Sequence, residues 1–320
     1  MKISVAMCTF NGAKFLKEQI DSILNQTLKV DEIIICDDGS ADDTLSIVTS
    51  YHNLYPNLFK FFKNENNLRS NKNFEKAITI CDGDFIFLAD QDDVWNESKV
   101  ENTISFFNQH TSIEGVFSNA SLIDENGNLL TDSSLWDNII YDENKLNDYT
   151  EIEKYITSAH SIVTGATFCF KKNCKEFIFP FPTIELFFHD EWISLLLSKR
   201  KTLASNPQKL ISYRIHNSQQ VGLNKSKTLI KKNNIVNYVF KTKSNFSFIE
   251  LYKIRKNFIR VVSKFRNLEK NYSGKFIIDI NEIIQKNIES IKLINNEMKK
   301  SNFILYFLCK NLNNNIKKLK

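Results

Sequence analysis

Over its first ninety residues the chain alternates short apolar runs with amphipathic stretches. Ile3–Met7 predicts a strand and Thr9–Gly12 a polar turn. The residues to about Gln26 predict a helix with Ile20, Ile23 and Leu24 on one face. Glu32–Cys36 is a β-branched run that reads as a second strand, ended by Asp37-Asp38-Gly39-Ser40. Asp42 or Asp43 is placed to cap a helix over about Thr44–His52. Lys60–Lys63 reads as a third strand and Asn71–Ile80 as a helix. Phe85–Ala89 reads as a buried strand that stops abruptly at Asp90-Gln91-Asp92-Asp93. This alternation with short connections predicts an α/β fold, a mostly parallel sheet covered by helices on both faces. Ligands of such sheets bind beyond the carboxyl ends of the strands. Three predicted strands end in polar clusters (Thr9/Asn11, Asp37/Asp38 and Asp90/Asp92), so the pattern directs all three at one crevice.

Further along, Gly115–Ser118 and Ser161–Phe170 read as strands and Glu191–Ser198 as a helix, and Leu210–Ile215 reads as a strand running into His216. After Val221-Gly222 the texture becomes rich in Lys, Asn and Ile and mostly helical. Two regions are therefore expected, residues 1–223 and residues 224–320. Charge sharpens the division. Residues 225–320 hold 22 Lys and Arg against 6 Asp and Glu, while the remainder carries a net charge of −11. An acidic front and a basic back imply different partners. The six cysteines include no CxxC pair, and Cys8, Cys36 and Cys81 fall in or beside apolar runs, which suits buried thiols in a reducing compartment. Met1–Met7 reads as a strand rather than a secretory leader. No apolar run approaches the roughly 20 residues that span a bilayer.

Asp-x-Asp after a buried strand lets two carboxylates face one ligand and share a hard cation. Magnesium or manganese keeps several waters and fills its other positions with substrate phosphate oxygens. Such an ion offsets charge on a departing diphosphate. A solvated turn is the bland alternative for the same spacing. Asp37-Asp38-Gly39-Ser40 reads equally as turn and cap chemistry or as a carboxylate that accepts from a nucleotide.

These segments together, CTFNGAKFLKEQIDSILNQT (8–27), IIICDDGSADDT (33–44), FLADQDDVW (88–95) and HDEW (189–192), resemble the family 2 glycosyltransferases in order and approximate spacing. The resemblance covers about residues 1–222. The DQDDVW form, with YRIHNSQQVG (213–222), is most similar to the bacterial rhamnosyltransferase-type members. It implies the GT-A fold, a Rossmann-like mostly parallel sheet, with the basic helical region behind it. By matching positions it implies that Thr9 and Asn11 line a nucleotide pocket, that Asp38 contacts the base, and that Asp37 supports it. Arg69 stands near a segment that touches the nucleotide, and Asp90 and Asp92 form the D-x-D pair, with Asp92 nearer the metal. Asp190 aligns with the catalytic base. The family usually has Glu-Asp there, whereas this chain has His189-Asp190-Glu191, which leaves Glu191 as a rival base. His216 is implied as a metal or phosphate ligand and Arg214 as a partner for negative charge. Trp95 and Trp192 either stack on a sugar or pack.

The expected function is inverting transfer of a sugar, rhamnose among the candidates, from a dTDP- or UDP-linked donor with Mg²⁺ or Mn²⁺ as cofactor. The expected acceptor is a hydroxyl of a surface polysaccharide or lipid-linked glycan. The basic region is expected to meet an anionic membrane surface from the cytoplasmic side, and no nucleic-acid signature is present. Rival readings are a nucleotidyltransferase and a non-catalytic sugar- or membrane-binding module on the same fold.

Overall fold

The computed structural model describes residues 1–130, 134–139, 141, 149–159, 161–184, 187–219, 235–241, 243, 245–272 and 278–312. The chain divides into two compact units, one of Met1–Ile156 with Ser161–Leu223, the other of Thr157–His160 with Asn224–Lys320.

The first unit opens with β1 (Ile3–Thr9), α1 (Ala13–Leu24), β2 (Glu32–Asp37), α2 (Thr44–Leu54), β3 (Phe59–Lys63), α3 (Arg69–Ile80) and β4 (Phe85–Ala89). The two-residue β5 (Val94–Trp95), α4 (Lys99–Gln109) and β6 (Gly115–Ile123) follow, then the short helices α5 (Leu135–Ile139) and α6 (Tyr149–Lys154). The unit continues with β7 (Phe168–Lys171), α7 (Lys175–Ile178), α8 (His189–Lys199) and β8 (Leu203–Arg214). The strands form one sheet in the order β3-β2-β1-β4-β7-β6-β8-β5. β1, β2, β3 and β4 run parallel, as do β6 and β8, while β7 and β5 pair antiparallel with their neighbours.

β2 is buried at every position and β1 at all but Cys8, because helices cover both faces. That burial explains their continuous apolar runs. The chain advances from β1 through β2 to β3, then returns to place β4 on the other side of β1. The order thus reverses beside β1, and a crevice opens beyond the ends of β1 and β4. Cys36, Cys81, Cys169 and Cys174 are buried and free. Burial pushes the Cys36 thiol up to about 11 and those of Cys81 and Cys174 up to about 12.

Two expectations are corrected here. Ser161–Phe170 is not one strand, since Gly165–Thr167 is a 3₁₀ turn and the strand begins at Phe168. Thr164 O accepts from both the amide and the hydroxyl of Thr167, at 2.9 and 2.8 Å, so local bonds replace a ladder. β8 starts at Leu203, well before Leu210, and pairs along β6 through an irregularity at Ser118–Ala120. The polar residues at the irregularity hid its first half.

At the opposite end of the strands, Glu32 is buried and joins β1, β2 and β3. It accepts from Ser4 Oγ at 2.6 Å, Lys60 Nζ at 2.8 Å and the Asp82 amide at 2.6 Å. Burial alone favours the protonated acid, but these donors outweigh it and hold the carboxyl at about 2.

In the second unit, α9 (Phe248–Tyr272) packs along α10 (Ile280–Ser301), and α11 (Phe303–Leu312) follows. Ile254, Phe258, Val262 and Phe265 of α9 and Ile284, Ile291, Ile294 and Met298 of α10 are buried at helical spacing. Asp279 caps α10 by accepting from the Glu282 amide at 2.9 Å. No described helix is long and apolar enough to cross a membrane.

The Glu32 network carries a stability prediction. Glu32→Gln is expected to cost about 1.5–3 kcal/mol at neutral pH, the range for charged hydrogen bonds. The folded pKa lies below the unfolded value of about 4.3. The contribution is therefore complete above that value and is lost as pH falls toward about 2. Urea unfolding of both proteins at pH 7 and pH 3 checks this, with a smaller gap expected at pH 3.

Candidate active site in the crevice beyond β1 and β4

The crevice is a cavity of about 440 Å³, and its walls include Thr9, Asn11, Asp38, Asp90, Asp92 and Asp190, with His216 at one side. Each wall follows from a strand or helix end. Asp37 closes β2 and is fully buried. It accepts from Thr9 Oγ1 at 2.8 Å, from the Gly39 and Ser40 amides at 3.1 and 2.9 Å, and from Ser40 Oγ at 2.5 Å. Asp38 accepts from Asn64 Nδ2 at 2.9 Å and from the Leu68 and Arg69 amides at 2.6 and 2.8 Å. Arg69 thus contributes its backbone, in a left-handed conformation with φ of 62°, and its guanidinium does not line the cavity. Asn11, also left-handed at φ 49°, accepts from the Ala41 amide at 2.8 Å.

Gln91, the middle residue of Asp-x-Asp, has a role that its position did not reveal. Its amide accepts from Phe10 N at 2.8 Å and donates to Phe10 O at 3.1 Å, which ties the end of β1 to the end of β4. A Cβ on Gly12 would lie 2.2 Å from Gln91 Oε1, so glycine is what the close approach permits.

Asp92 Oδ2 lies 2.8 Å from His216 Nε2, and the other ring nitrogen of His216 lies 2.8 Å from Ser218 Oγ. Burial, then the charges of Asp92 and Asp190, pushes the Asp90 carboxyl up to about 7. Asp90, Asp92 and Asp190 gather negative charge that a divalent cation would relieve. Among the described residues no three His, Cys, Asp or Glu side chains form a complete cage. The Asp92–His216 pair with Asp90 beside it suits an ion that takes its remaining ligands from substrate phosphate and water.

Asp190 lies in the first turn of α8 and faces the cavity. Its Oδ2 accepts from the Gly165 amide at 2.9 Å and its Oδ1 from the Glu191 amide at 2.7 Å. Glu191 is buried and does not line the cavity. His189, where the resemblance leads one to expect Glu, is 5% exposed and stacks on Phe74 with ring centroids 3.8 Å apart. Burial pushes its imidazole down to about 3, so it is neutral at physiological pH.

Three candidates sit elsewhere than expected. Arg214 is 1% exposed. It donates from Nε to Asp92 O at 2.7 Å, from its amide to Asp93 Oδ1 at 2.9 Å, and from its guanidinium to Glu18 Oε2 at 2.5 Å. It holds the Asp92-Asp93 turn from behind and is not in the cavity wall. Trp192 is fully buried and donates to Ile178 O at 2.7 Å. Trp95 packs on Phe87 beneath the crevice. Both tryptophans are packing residues.

Lys99 is a residue that the sequence left unmarked. It is 1% exposed and donates to Ala166 O at 2.7 Å, with its ammonium 4.0 Å from the Trp95 ring centre. Ala166 belongs to the turn that presents the Gly165 amide to Asp190. Burial pulls the ammonium down to about 7, against the opposing charges of Asp93 and Asp90.

Comparison with known proteins gives the family and the fold. The model of the family described as Glycosyl transferase family 2 matches residues 4–172. An uncharacterised glycosyltransferase of Methanocaldococcus jannaschii is 30% identical over 217 residues, 67% of this chain and 71% of that protein. A dTDP-rhamnosyl transferase of Shigella flexneri is 28% identical over 68% of this chain and 74% of its own length. Among solved structures, Staphylococcus aureus TarS 1–349 in complex with UDP-GlcNAc has a TM-score of 0.55 at 16% identity, covering 92% of this chain and 83% of that one. The Pyrobaculum calidifontis mannosyltransferase in complex with GDP-Man and Mn²⁺ has a TM-score of 0.51 at 13% identity, covering 97% and 87%. The fold is that of the GT-A glycosyltransferases, as the sequence implied.

Lys99 gives the prediction of this site. Its folded pKa of about 7 lies below the unfolded value of about 10.4, so the unfolded chain binds the extra proton between these values. The burial penalty is complete below pH 7 and is relieved as pH rises toward 10. Relative to the wild type, Lys99→Met should lack a stability gain on the order of 2 kcal/mol between pH 7 and 9.5. Chemical unfolding of both proteins at the two pH values reads that difference.

Proposed function

The chain belongs to glycosyl transferase family 2, and from that premise we propose that the crevice holds a nucleotide-sugar donor and transfers its sugar, with inversion, to an acceptor hydroxyl. The observation that carries the reading is the meeting of Asp38, Asp90, Asp92 and Asp190 around one cavity of about 440 Å³.

The donor nucleoside lies over Thr9, Asn11 and Asp38, with Asp37 fixing the loop beneath, and its diphosphate points toward Asp92 and His216. Asp38 has accepted three bonds from its own chain and keeps lone-pair capacity for a base N–H. Asp92 and His216, with Asp90 beside them, would hold a magnesium or manganese ion. Such an ion, when bound, supplies Lewis-acid neutralisation of the diphosphate. Asp190 takes the proton of the acceptor hydroxyl, whose oxygen forms the new bond to the anomeric carbon. The bond from that carbon to the diphosphate breaks, and the nucleoside diphosphate leaves with the electron pair. The amides of Gly165 and Glu191 hold the Asp190 carboxylate, and the start of α8 favours its charged form. Its place in the cavity wall favours Asp190 over Glu191 as the base.

We assign a dTDP- or UDP-linked donor, with rhamnose supported by the relative described as a dTDP-rhamnosyl transferase. The acceptor is a bacterial surface polysaccharide or lipid-linked oligosaccharide. The basic second unit brings the enzyme to the inner face of an anionic membrane, on the cytoplasmic side.

Thermal stabilisation by UDP, dTDP and GDP species, with and without Mn²⁺, tests the donor site. Selective metal-dependent stabilisation by UDP or dTDP is expected, and its loss in Asp92→Ala. Asp190→Asn should lower turnover by about 10²–10⁴ while donor stabilisation persists. Full turnover in Asp190→Asn would remove it as the base, and release of inorganic pyrophosphate in place of a nucleoside diphosphate would refute sugar transfer.

A further inference from the structure

The second unit carries an apolar surface that its own packing leaves uncovered. In α11, Phe303, Ile304, Leu305 and Phe307 are 66%, 73%, 43% and 55% exposed. Single exposed apolar residues are ordinary, but four within five positions of one short helix form a continuous patch. Among the described side chains, Tyr306 is 9% exposed and Cys309 half-buried, and Lys299 Nζ lies 5.3 Å from the Tyr306 ring centre, so this side of the helix turns inward. Asn302 starts the helix in an extended conformation at φ −159° and accepts from the Leu305 amide at 3.0 Å. The break at Asn302 sets the patch apart from α10.

The charge of the neighbouring sequence is of one sign. From Met298 to Lys320 the sequence holds six lysines, at 299, 300, 310, 317, 318 and 320, and no Asp or Glu. Lys299 and Lys300, just before the patch, are exposed. Two copies joined through this face would bring like charges together, whereas a surface of anionic lipid supplies the opposite charge and an apolar layer beneath it. Ten residues of helix span roughly 15 Å, about half the hydrocarbon thickness, so the helix lies in the interface and does not cross it.

We propose that α11 is a bilayer-surface anchor, with Phe303, Ile304, Leu305 and Phe307 entering the boundary of the acyl chains while Lys299 and Lys300 meet lipid phosphates. This rests on the membrane half of the function proposed above and adds insertion to attraction. It is independent of the chemistry in the crevice.

Flotation of the full chain with vesicles of phosphatidylglycerol and phosphatidylcholine, beside phosphatidylcholine alone, tests it. Binding to the anionic vesicles is expected, with at least a tenfold weaker partition for Phe303→Ser combined with Phe307→Ser. Unchanged helical circular dichroism of that variant excludes unfolding as the cause. Phe307→Trp keeps the apolar character and reports depth, because the three native tryptophans are buried. The introduced indole should be quenched by lipids brominated on their acyl chains. Binding that 0.5 M salt abolishes, with no such quenching and no effect of the serine changes, would overturn insertion while leaving simple basic attraction in place. Absence of vesicle binding by the wild type would overturn both, and self-association in sedimentation that the serine changes abolish would make the patch an interface between copies.

Discussion

Two neighbouring carboxylates at the end of β2 gather the floor of the crevice. Asp37 and Asp38 are almost completely buried, and a buried charge persists only if donors surround it. Those donors come from separate parts of the chain: Thr9 at the end of β1, the Gly39 and Ser40 amides, Asn64 after β3, and the amides that open α3. Each charged hydrogen bond contributes about 1.5–3 kcal/mol, so together they fix loops that apolar packing alone would leave loosely placed. The positive φ values of Asn11 and Arg69 fit the same constraint, since each backbone bends to bring a polar group to its partner.

β1, β2 and β4 and the crevice they define were legible because burial on both faces writes itself as continuous apolar runs, and each run stops where the polar floor begins. Thr9, Asn11, Asp38, Asp90 and Asp92 line one cavity for that reason, and Asp190 of α8 and His216 beyond β8 join them there. What was hidden depends on distant contacts. Arg214 looks like a ligand for negative charge, yet it is occupied by Glu18, 196 positions away, and by the Asp92 carbonyl. Arg69 stands at a suitable place but acts through its amide, which every residue type has. Lys99 sits among polar residues that read as a helix start, and only its burial against Trp95 and Ala166 sets it apart. The early start of β8 was masked by Ser205, Asn206 and Pro207, polar or ladder-breaking residues beside a sheet irregularity.

Glu32 and the pair at the end of β2 bracket the same strand. Both use buried carboxylates, but to different ends. Glu32 has lysines among its donors and sits at the far end of the strands, whereas Asp37 and Asp38 take mainly amides and hydroxyls and leave the crevice open. Asp90 has no such donor among the described residues. Burial, with the charges of Asp92 and Asp190 added to it, is why it resists ionisation. The strand ends are thus divided between charges that the protein satisfies by itself and charges that it leaves for a ligand.

The contact between Gly12 and Gln91 sets a rule for how related sequences can diverge. Because the Gln91 amide occupies the volume where any side chain at position 12 would begin, neither residue can change alone without loosening the joint between β1 and β4. A side chain at position 12 would push the Gln91 amide aside and cost its two bonds to Phe10, so the size of residue 12 is tied to the joint that Gln91 makes.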